Sequence, residues 1–370
     1  MLNDSQYMFF CDIFNIMNES INVKLSCGKE TKVIYLNDLN ELSTILGSFG
    51  NRALWVADSN TANLFKRLPP TNIIFTAGEK SKTLATVEKI LRVCVDEGLS
   101  RDDYIIGFGG GVVCDLAAFA ASIYMRGCKL ILVPTSLLCM VDATLGGKTG
   151  CDFMGAKNLV GSFYPAKQVL ICPSLLKSLN EREYLNGLAE ALKHALLSKD
   201  ETLYKFLISR KSQILLREEN TLLTLLEMSL QVKKDYIEKD PEEKLGIRQA
   251  LNLGHTFGHA LESCGRFSNF SHGEAVAWGC VRALEASLEL KIIDKDYAYS
   301  AIKLFRYYNY DIDYKIGRGE WMEFNSTLAK DKKKRDGIVQ FVLMQGQGKY
   351  ELRGLSNHLL MNLVICNPGI

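Results

Sequence analysis

The sequence has almost no net charge and no long apolar run, and each of these absences excludes a class of function. Its 44 basic and 42 acidic residues leave a formal net charge of +2 over 370 residues, so no overall field favours nucleic acid or a membrane surface. No apolar stretch reaches the roughly 18–20 residues that a transmembrane helix needs. The first residues, MLNDSQYMFF, lack the basic start of a secretory signal. An ordinary soluble globular protein is predicted.

Cys-x-x-Cys pairs are also absent, although the chain has eleven cysteines. These cysteines are scattered and odd in number, which disfavours a zinc finger or a redox dithiol. Many of them stand in apolar runs, where a free cysteine acts as a small hydrophobic residue. We therefore expect a reducing, cytoplasmic location.

The two halves of the chain differ in pattern, and 370 residues exceed the usual size of one hydrophobic core. Strand-like apolar runs lie at 52–59, 72–76, 103–108, 129–134 and 168–172, with helical patterns at 83–98 and 115–125. Amphipathic stretches follow at 183–197, 202–217, 221–238, 252–264 and 273–290, and only 339–344 is strand-like there. We predict an α/β domain with a parallel sheet over residues 1–179 and a helical domain over residues 180–370.

A glycine-rich segment, Gly107-Phe-Gly109-Gly-Gly111, links a predicted strand to a predicted helix. Glycines there let backbone N–H groups approach a phosphate, and the helix N-terminus adds partial positive charge. The pattern G-x-G-x-x-G fails because residue 112 is valine, and the Walker A pattern fails because no Gly-Lys-Ser/Thr follows. The segment indicates either nucleotide or phosphate binding or a tight strand–helix turn.

Three of the five histidines fall between residues 255 and 272, which indicates a metal or acid–base centre. His255 and His259 share one face if their segment is helical, and His272 could complete the site. A zincin protease would carry glutamate at 256, where this chain has threonine. Glu190 stands in an apolar helical segment, as a buried ligand would, and two histidines with one carboxylate are typical of catalytic zinc. The residues alone leave open which histidines bind, or whether they are surface or capping residues.

Several basic residues stand singly among glycines or apolar residues, as cations that receive an anionic substrate do. They are Lys148, Lys157, Lys193, Lys233, Lys234 and Arg248. Each alone is better explained as a solvated surface charge. The basic run 330–335 is interpreted as a solvated loop.

Taken in order, these segments resemble the 3-dehydroquinate synthase family of sugar phosphate cyclases. The resemblance extends from about Asp58 to Phe341, through motifs at 109–115, 124–127, 134–138, 141–142, 147–150, 157–158, 187–190, 251–259 and 272–274. It implies an NAD-binding α/β domain at 1–179, a helical metal- and substrate-binding domain at 180–370, and an active site in the cleft. The implied cofactors are NAD+ and Zn2+ (or Co2+), and the implied partners are a small sugar phosphate and a second copy of the chain, with neither nucleic acid nor membrane.

The resemblance also implies roles for individual residues. The metal ligands would be Glu190, His255 and His272. The substrate-binding and catalytic residues would be His259, Lys148, Lys193, Arg248, Asn252, Lys233, Asn158, Lys332 and Arg126, the last supplied by a neighbouring subunit. The NAD+ contacts would be Asp58, Asn60, Glu79, Lys82, Gly110, Gly111, Val112, Asp115, Thr135, Ser136, Asp142, Lys148, Lys157 and Glu183.

The implied activity is conversion of 3-deoxy-D-arabino-heptulosonate 7-phosphate to 3-dehydroquinate plus phosphate, a step of the shikimate pathway. The alternatives are another sugar phosphate cyclase of the valiolone or scyllo-inosose type, a metal-dependent polyol dehydrogenase, and a paralogue that binds nucleotide without turnover. Phosphate release without accumulating NADH separates the first activity from a dehydrogenase.

The chain departs from the family pattern at four places. Cys114 and Ala156 replace glycine, and Ser178-Leu-Asn180 replaces Thr-Leu-Pro. The segment 240–248 is one residue longer, which leaves open whether Lys233 or Lys234 is the active-site lysine; alignment on Asp240-Pro241 favours Lys233.

Overall fold

The computed structural model describes residues 20–25, 28–64, 71–264, 270–334 and 339–365, with the backbone alone for 330–334. The chain divides into two units, Met1–Leu179 and Asn180–Ile370. The first is built on a mostly parallel sheet and the second is mainly helical, which confirms the predicted fold class. In the described ranges, no helix combines the length and the apolar character needed to cross a membrane.

The first unit contains nine of the described strands and three helices. The strands are β1 (Ser20–Lys24), β2 (Glu30–Tyr35), β3 (Ala53–Asp58), β4 (Asn72–Phe75), β5 (Tyr104–Gly109), β6 (Lys129–Pro134), β7 (Lys148–Phe153), β8 (Ala156–Phe163) and β9 (Gln168–Ile171). The helices are α1 (Leu39–Gly47), α2 (Leu84–Asp96) and α3 (Gly111–Ile123). Seven strands form one sheet in the order β1-β2-β9-β6-β5-β3-β4. Only β1 runs antiparallel to its neighbour.

Strand β5 lies inside this sheet and its residues after Tyr104 are buried. Such continuous apolar runs are expected of parallel strands covered on both faces. Helix α3 packs closely on the strand: a side chain at Gly107 would place its Cβ 2.9 Å from Ala117, and one at Gly109 would meet Val113 at 2.5 Å. These glycines are therefore required by the close approach of strand and helix.

Strands β7 and β8 form a separate antiparallel hairpin that the sequence pattern did not predict. Thr149 Oγ1 donates to the carbonyl of Ser162 at 3.0 Å across the pair. The hairpin packs on α3, where Ser162 Oγ donates to Ser122 Oγ at 2.9 Å. It carries the motif lysines Lys148 and Lys157 out of the main sheet.

The second unit contains nine of the described helices and one hairpin. The helices are α4 (Glu181–Leu197), α5 (Thr202–Ser209), α6 (Lys211–Leu215), α7 (Glu219–Lys239), α8 (His255–Cys264), α9 (His272–Glu289), α10 (Lys295–Tyr307), α11 (Trp321–Lys334) and α12 (Asn357–Val364). The hairpin strands are β10 (Phe341–Gly346) and β11 (Lys349–Arg353). Asn180 caps α4 by accepting the N–H of Glu183 at 2.9 Å, so this departure from the family pattern supplies a favoured N-cap.

Helix α9 lies at the centre of this unit and packs against α4, α8, α10 and β10. Its contact with α8 is unusually close because small residues meet there. A Cβ at Gly254 would lie 2.6 Å from Cys280 Sγ, and a Cβ at Gly258 would lie 2.9 Å from the carbonyl oxygen of Ala275. Gly279 approaches the Gly254 carbonyl from the other side. This packing fixes the distance between the two helices.

Two sequence predictions are wrong in this unit. Residues 202–217 form two short helices, α5 and α6, because the chain leaves the helical conformation at Arg210 (φ −112°, ψ 16°). The basic residues 330–334 belong to the end of α11 and not to a loop. The strand-like segment at 339–344 is one arm of a hairpin, whose second strand was not predicted.

Candidate active site

Three helices of the second unit bring a carboxylate and two imidazoles together. Glu190 lies on α4, His255 begins α8 and His272 begins α9. Both His255 Nε2 and His272 Nε2 lie 3.5 Å from Glu190 Oε1. The three ligand atoms are within 4.8 Å of one another.

This group suits a divalent cation. Glu190 is completely buried, and among the described residues neither of its oxygens has a hydrogen-bond partner of good geometry. The Lys193 ammonium lies against this carboxylate, and a divalent cation would supply the further bonds that buried carboxylate oxygens need. Two imidazoles and one carboxylate are the protein ligands of many catalytic zinc sites, which keep a further position for water or substrate. The residues present therefore fit a catalytic metal.

The electrostatics of the group keep two of the three candidate ligands in forms that coordinate, whereas a metal would displace a proton from the third, His272. Burial raises the pKa of Glu190, but the Lys193 ammonium and the imidazoles of His255 and His272 outweigh burial and hold that pKa well below its usual range. Burial, followed by the Lys193 charge, holds the pKa of His255 well below its usual range. Burial lowers the pKa of His272, but Glu190 and Glu262 raise it to about 9. Glu190 is thus ionised and His255 is neutral, as metal ligands must be.

His259 lies one turn beyond His255 and is exposed. Its ring centroid is 5.6 Å from that of His255 and 6.1 Å from that of His272. Ligand atoms of His259, Glu262 and His272 also come within 4.8 Å of one another. The structure therefore gathers all three histidines, and the division of roles between them stays a prediction.

Three buried cations accompany this group in the second unit. Lys193 is 1% exposed; its Nζ contacts the Glu190 carboxylate and donates to the carbonyl of Leu251 at 2.6 Å. Lys233 on α7 and Arg248 are also buried. Lys234 is less buried and faces Glu238 at 4.0 Å, so Lys233 is the inward-facing lysine of this pair. Helices α4 and α7 and the turn at 248–252 pack against one another.

Asp240 organises the loop that carries Arg248. It accepts the N–H groups of Lys244 at 2.8 Å, Leu245 at 3.0 Å and Arg248 at 3.1 Å. Arg248 Nη1 donates to the carbonyl of Pro241 at 2.7 Å. Asn252 follows this loop, and its Nδ2 lies 3.5 Å from Glu243 Oε1. The one-residue-longer segment is therefore an ordered loop held by one carboxylate.

In the first unit, the carboxyl ends of β3, β5 and β6 lie side by side and carry most of the predicted NAD+ residues. Asp58 ends β3 and accepts the N–H groups of Asn60 and Thr61 at 3.0 and 2.9 Å. Gly110 is the N-cap of α3, and no side chain among the described residues caps that helix. Its first N–H groups, at Gly111 and the following residues, are thus left for another acceptor. Ligands commonly bind at this edge of an open parallel sheet, outside the carboxyl ends of its strands.

A second polar group in this unit joins Lys82, Asp115 and Asn158. Lys82 is 5% exposed, and its Nζ lies 2.6 Å from Asp115 Oδ2 and 2.5 Å from Asn158 Oδ1. Burial lowers the pKa of Lys82, but Asp115 outweighs burial and the pKa is raised. Asn158 adopts a left-handed conformation (φ 52°), and its N–H donates to Asp152 at 2.8 Å.

The other predicted residues of the first unit are spread over several elements. Thr135 and Ser136 follow β6, and Asp142 lies in the helical turn at 139–143. Asn60, Glu79, Lys148, Lys157 and Arg126 lie in exposed or partly exposed positions on loops or on the β7–β8 hairpin, and Val112 lies in the first turn of α3. In the second unit, Glu183 is an exposed residue of the first turn of α4. The side chain of Lys332 falls outside the described residues.

Two family descriptions match consecutive parts of the chain. The 3-dehydroquinate synthase N-terminal model matches residues 72–186, and the C-terminal model matches residues 187–334. The 3-dehydroquinate synthase of Thermoanaerobacter pseudethanolicus is 34% identical over 320 residues, which cover 86% of this chain and 89% of that protein. This chain belongs to the 3-dehydroquinate synthase family.

Solved structures agree with this family in fold. A crystal structure of 2-deoxy-scyllo-inosose synthase complexed with carbaglucose-6-phosphate, NAD+ and Co2+ has a TM-score of 0.81 at 22% identity, over 93% of this chain and 99% of that chain. The 2-epi-5-epi-valiolone synthase of Streptomyces hygroscopicus, with NAD+ and Zn2+ bound, has a TM-score of 0.78 at 25% identity, over 90% and 96% of the two chains.

In this member of the 3-dehydroquinate synthase family, three polar residues that contact the candidate metal ligands, the start of α9 or the loop before Arg248 were not predicted from the sequence. Glu262 Oε1 faces His272 Nδ1 at 3.8 Å, Asn186 contacts the start of α9, and Asp240 holds the loop before Arg248. Glu262 follows His259 by three residues, a helical spacing that signals a neighbour on the same face. Asn186 and Asp240 give no such signal, because their partners are set by tertiary structure.

Proposed function

We propose that the chain is a 3-dehydroquinate synthase that converts 3-deoxy-D-arabino-heptulosonate 7-phosphate to 3-dehydroquinate and phosphate in the shikimate pathway of aromatic amino-acid biosynthesis. The observation that carries the proposal is the two-histidine, one-carboxylate group in a unit that also buries Lys193, Lys233 and Arg248. Cationic side chains of this kind bind carboxylate and phosphate groups, and the proposed substrate carries both. Family membership supports the same activity.

Glu190, His255 and His272 would hold a divalent metal, and the carboxyl ends of β3, β5 and β6 with α3 would hold NAD+. Bound there, the metal would lower the pKa of substrate hydroxyls, and NAD+ would take up a hydride and return it, so that the cycle leaves no net NADH. The valiolone synthase with NAD+ and Zn2+ bound supports both cofactors.

The remaining roles follow from position. Lys193, Lys233 and Arg248 would fix the anionic groups of the substrate, which holds the reacting atoms in place through each step. His259, exposed beside the metal ligands, would contact the substrate and move protons. Asn252, close to the Arg248 turn, would donate its amide to the substrate. Lys148, Asn158, Arg126 and Lys332 complete the proposed substrate contacts.

We further propose a homodimer. In the first unit, apolar side chains are exposed on the end of α3, the following turn and the β7–β8 hairpin: Ile123, Met125, Phe153, Met154, Leu159 and Phe163. The Ser122–Ser162 hydrogen bond joins the helix end to the hairpin. Exposed apolar groups of this kind support a protein–protein contact. Arg126 stands beside them in a left-handed conformation (φ 65°), which costs energy for a non-glycine residue and suits a residue with a special role.

Subunit mixing tests whether Arg126 acts on the partner's site. Arg126→Ala and Lys193→Met should each be inactive alone, because each removes one proposed substrate contact. Mixed dimers then contain one site with both residues intact and should regain part of the activity. Absence of any recovery, together with a monomer in sedimentation, would contradict the dimer.

The free thiols support a reducing compartment, and we propose the cytoplasm. Eight cysteines of the described ranges are free, and seven of these are buried. The activity itself is tested by incubating the purified protein with the heptulosonate phosphate, NAD+ and Zn2+, and identifying the carbocyclic product. Conversion of a hexose phosphate or sedoheptulose 7-phosphate in its place would indicate another cyclase.

A further inference from the structure

The two helices that carry Glu190 and His272 meet along a ladder of contacts. On α4, Arg182, Asn186 and Glu190 are four residues apart and share one face. They face the first three residues of α9, 272–274, in reverse order. The guanidinium of Arg182 lies 3.1 Å from the Glu274 carboxylate at the exposed end, and Glu190 meets His272 at the buried end.

The middle contact of this ladder joins Asn186 to Gly273. Asn186 is 8% exposed, and its Oδ1 accepts the backbone N–H of Gly273. That N–H lies in the first turn of α9, where the helix itself offers no acceptor. A Cβ at Gly273 would collide with the backbone carbonyl oxygen of Asn186, so the two helices approach as closely as a glycine allows.

Two other N–H groups at the α9 N-terminus are satisfied by side chains of the same segment. Ser271 Oγ accepts the N–H of Glu274 at 3.3 Å, and the Glu274 carboxylate accepts the N–H of Ser271 at 2.6 Å, which is a capping box. The Asn186 amide therefore adds a link between helices and does not serve as the helix cap. Its removal would leave α9 capped but no longer tied to α4 at this point.

Metal coordination is sensitive to such a link, because ligand distances must hold within about 0.2 Å. His272 directly precedes Gly273 in the chain. The position of the Gly273 N–H therefore fixes the position of the His272 imidazole relative to Glu190 and His255. Glu190 is one helical turn from Asn186 on the same face. The contact thus sets the separation between two ligands that belong to different helices.

We propose that Asn186 is a positioning residue of the metal site: with Gly273 it clasps α9 to α4 and holds His272 at coordinating distance from Glu190. The inference rests on the proposed function, since it takes Glu190, His255 and His272 to be the metal ligands. Asn186 touches none of the reacting atoms in this role. It acts through the helix that presents His272.

The test compares Asn186→Leu, which has similar size but no acceptor, with Asn186→Asp, which retains one. The affinity for Zn2+ is measured by competition with a chromophoric chelator, and the visible absorption of the Co2+-loaded protein reports coordination geometry. Loss of a supporting residue typically weakens metal affinity by about tenfold to a hundredfold, and we expect this for the leucine variant with an altered Co2+ spectrum. The aspartate variant should stay close to wild type, because Asn and Asp accept helix N–H groups about equally well.

Arg182→Met is the matched control. It breaks the outer contact of the same ladder, whose side chains are 54% and 41% exposed, so we expect Zn2+ affinity to change by less than about twofold. Gly273→Ala disturbs the same contact from the α9 side. It should weaken metal binding although Asn186 itself is unchanged. It keeps the inference testable if Asn186→Leu does not fold.

Each outcome bears on the inference. Wild-type affinity and an unchanged Co2+ spectrum in Asn186→Leu and Gly273→Ala would overturn the clasp while leaving the proposed function intact. An equal loss in Arg182→Met, or no rescue by aspartate, would also overturn it, since general loosening of the helix pair would then explain the effect. If the unaltered protein bound no divalent metal, the proposed function would fail and the clasp with it.

Discussion

Replacing Lys193 with methionine should destabilise the metal-free protein and yet tighten its binding of zinc. The Lys193 ammonium is buried against the Glu190 carboxylate and donates to the carbonyl of Leu251 at 2.6 Å. Removing one member of a buried ion pair costs about 3–5 kcal/mol, because the remaining charge stays buried. Each kcal/mol lowers the melting temperature of a domain of this size by about 2–4 °C, so the metal-free variant should melt roughly 6–20 °C lower.

Zinc should reverse most of this loss. A bound ion supplies the positive charge that Glu190 lacks in the variant, and the lysine no longer repels it. The Lys193 ammonium contacts the carboxylate that would bind the ion, and like unit charges about 4 Å apart repel by about 4 kcal/mol at an effective dielectric constant of about 20, so Lys193→Met should bind Zn2+ at least about tenfold more tightly. Turnover should nevertheless be lost, because Lys193 is a proposed substrate contact.

Calorimetry with and without Zn2+, combined with chelator competition, measures both effects. Lys205→Met is a matched control: its pair with Glu201, at 3.0 Å, is exposed, so the melting temperature and zinc affinity should hardly change. Weaker zinc binding in Lys193→Met, or the same melting loss with and without zinc, would refute the electrostatic reasoning.

Three further predictions concern the candidate metal ligands, the helix packing and the loop between Asp240 and Arg248. His272→Ala should abolish zinc binding, whereas His259→Ala should retain zinc and slow turnover; equal metal loss in both, by elemental analysis, would contradict the division of roles. Gly279→Ala should destabilise the protein by about 1–3 kcal/mol in denaturant unfolding, since its methyl group would collide with the Gly254 carbonyl; unchanged stability would count against the close packing. Burial raises the pKa of Asp240, but backbone N–H bonds outweigh burial and lower it. Its stabilisation is therefore present above the unfolded pKa of about 3.9 and is lost as pH falls through the folded value. Asp240→Asn should thus lose stability at pH 7 and approach wild type below about pH 4; a gap independent of pH would refute this.

The parallel strands and the long helices could be predicted from the sequence because their burial leaves a local pattern. Strands β3, β5 and β6 are buried on both faces and read as continuous apolar runs, and β6 begins and ends as predicted. The β7–β8 hairpin could not be recognised, because β8 is largely exposed and its sequence, Ala156–Phe163, lacks a regular alternation. Helix α3 begins at Gly111, before its predicted start at Asp115, because the glycine turn continues directly into the helix.

In the candidate site, too, local sequence patterns predict only part of the structure. The spacing of His255 and His259 predicts a shared helical face, and the apolar setting of Glu190 indicates a buried ligand. Only the meeting of α4, α8 and α9 places that carboxylate 3.5 Å from both His255 and His272. The Asn186–Gly273 contact joins residues 87 positions apart, and neither residue type by itself indicates a functional role in the sequence. Contacts that depend on how helices pack leave no periodic signal along the chain.

In the proposed reaction, one protein eliminates phosphate after NAD+ has taken up a hydride, which NADH then returns. The most direct measurement follows inorganic phosphate and NADH in the same reaction of the zinc-loaded protein with 3-deoxy-D-arabino-heptulosonate 7-phosphate and excess NAD+. Phosphate and 3-dehydroquinate should form in equal amounts over many turnovers, with no accumulation of NADH. NADH that rises in proportion to product, or product formation that is unaffected by removing NAD+ and zinc, would contradict the proposed reaction.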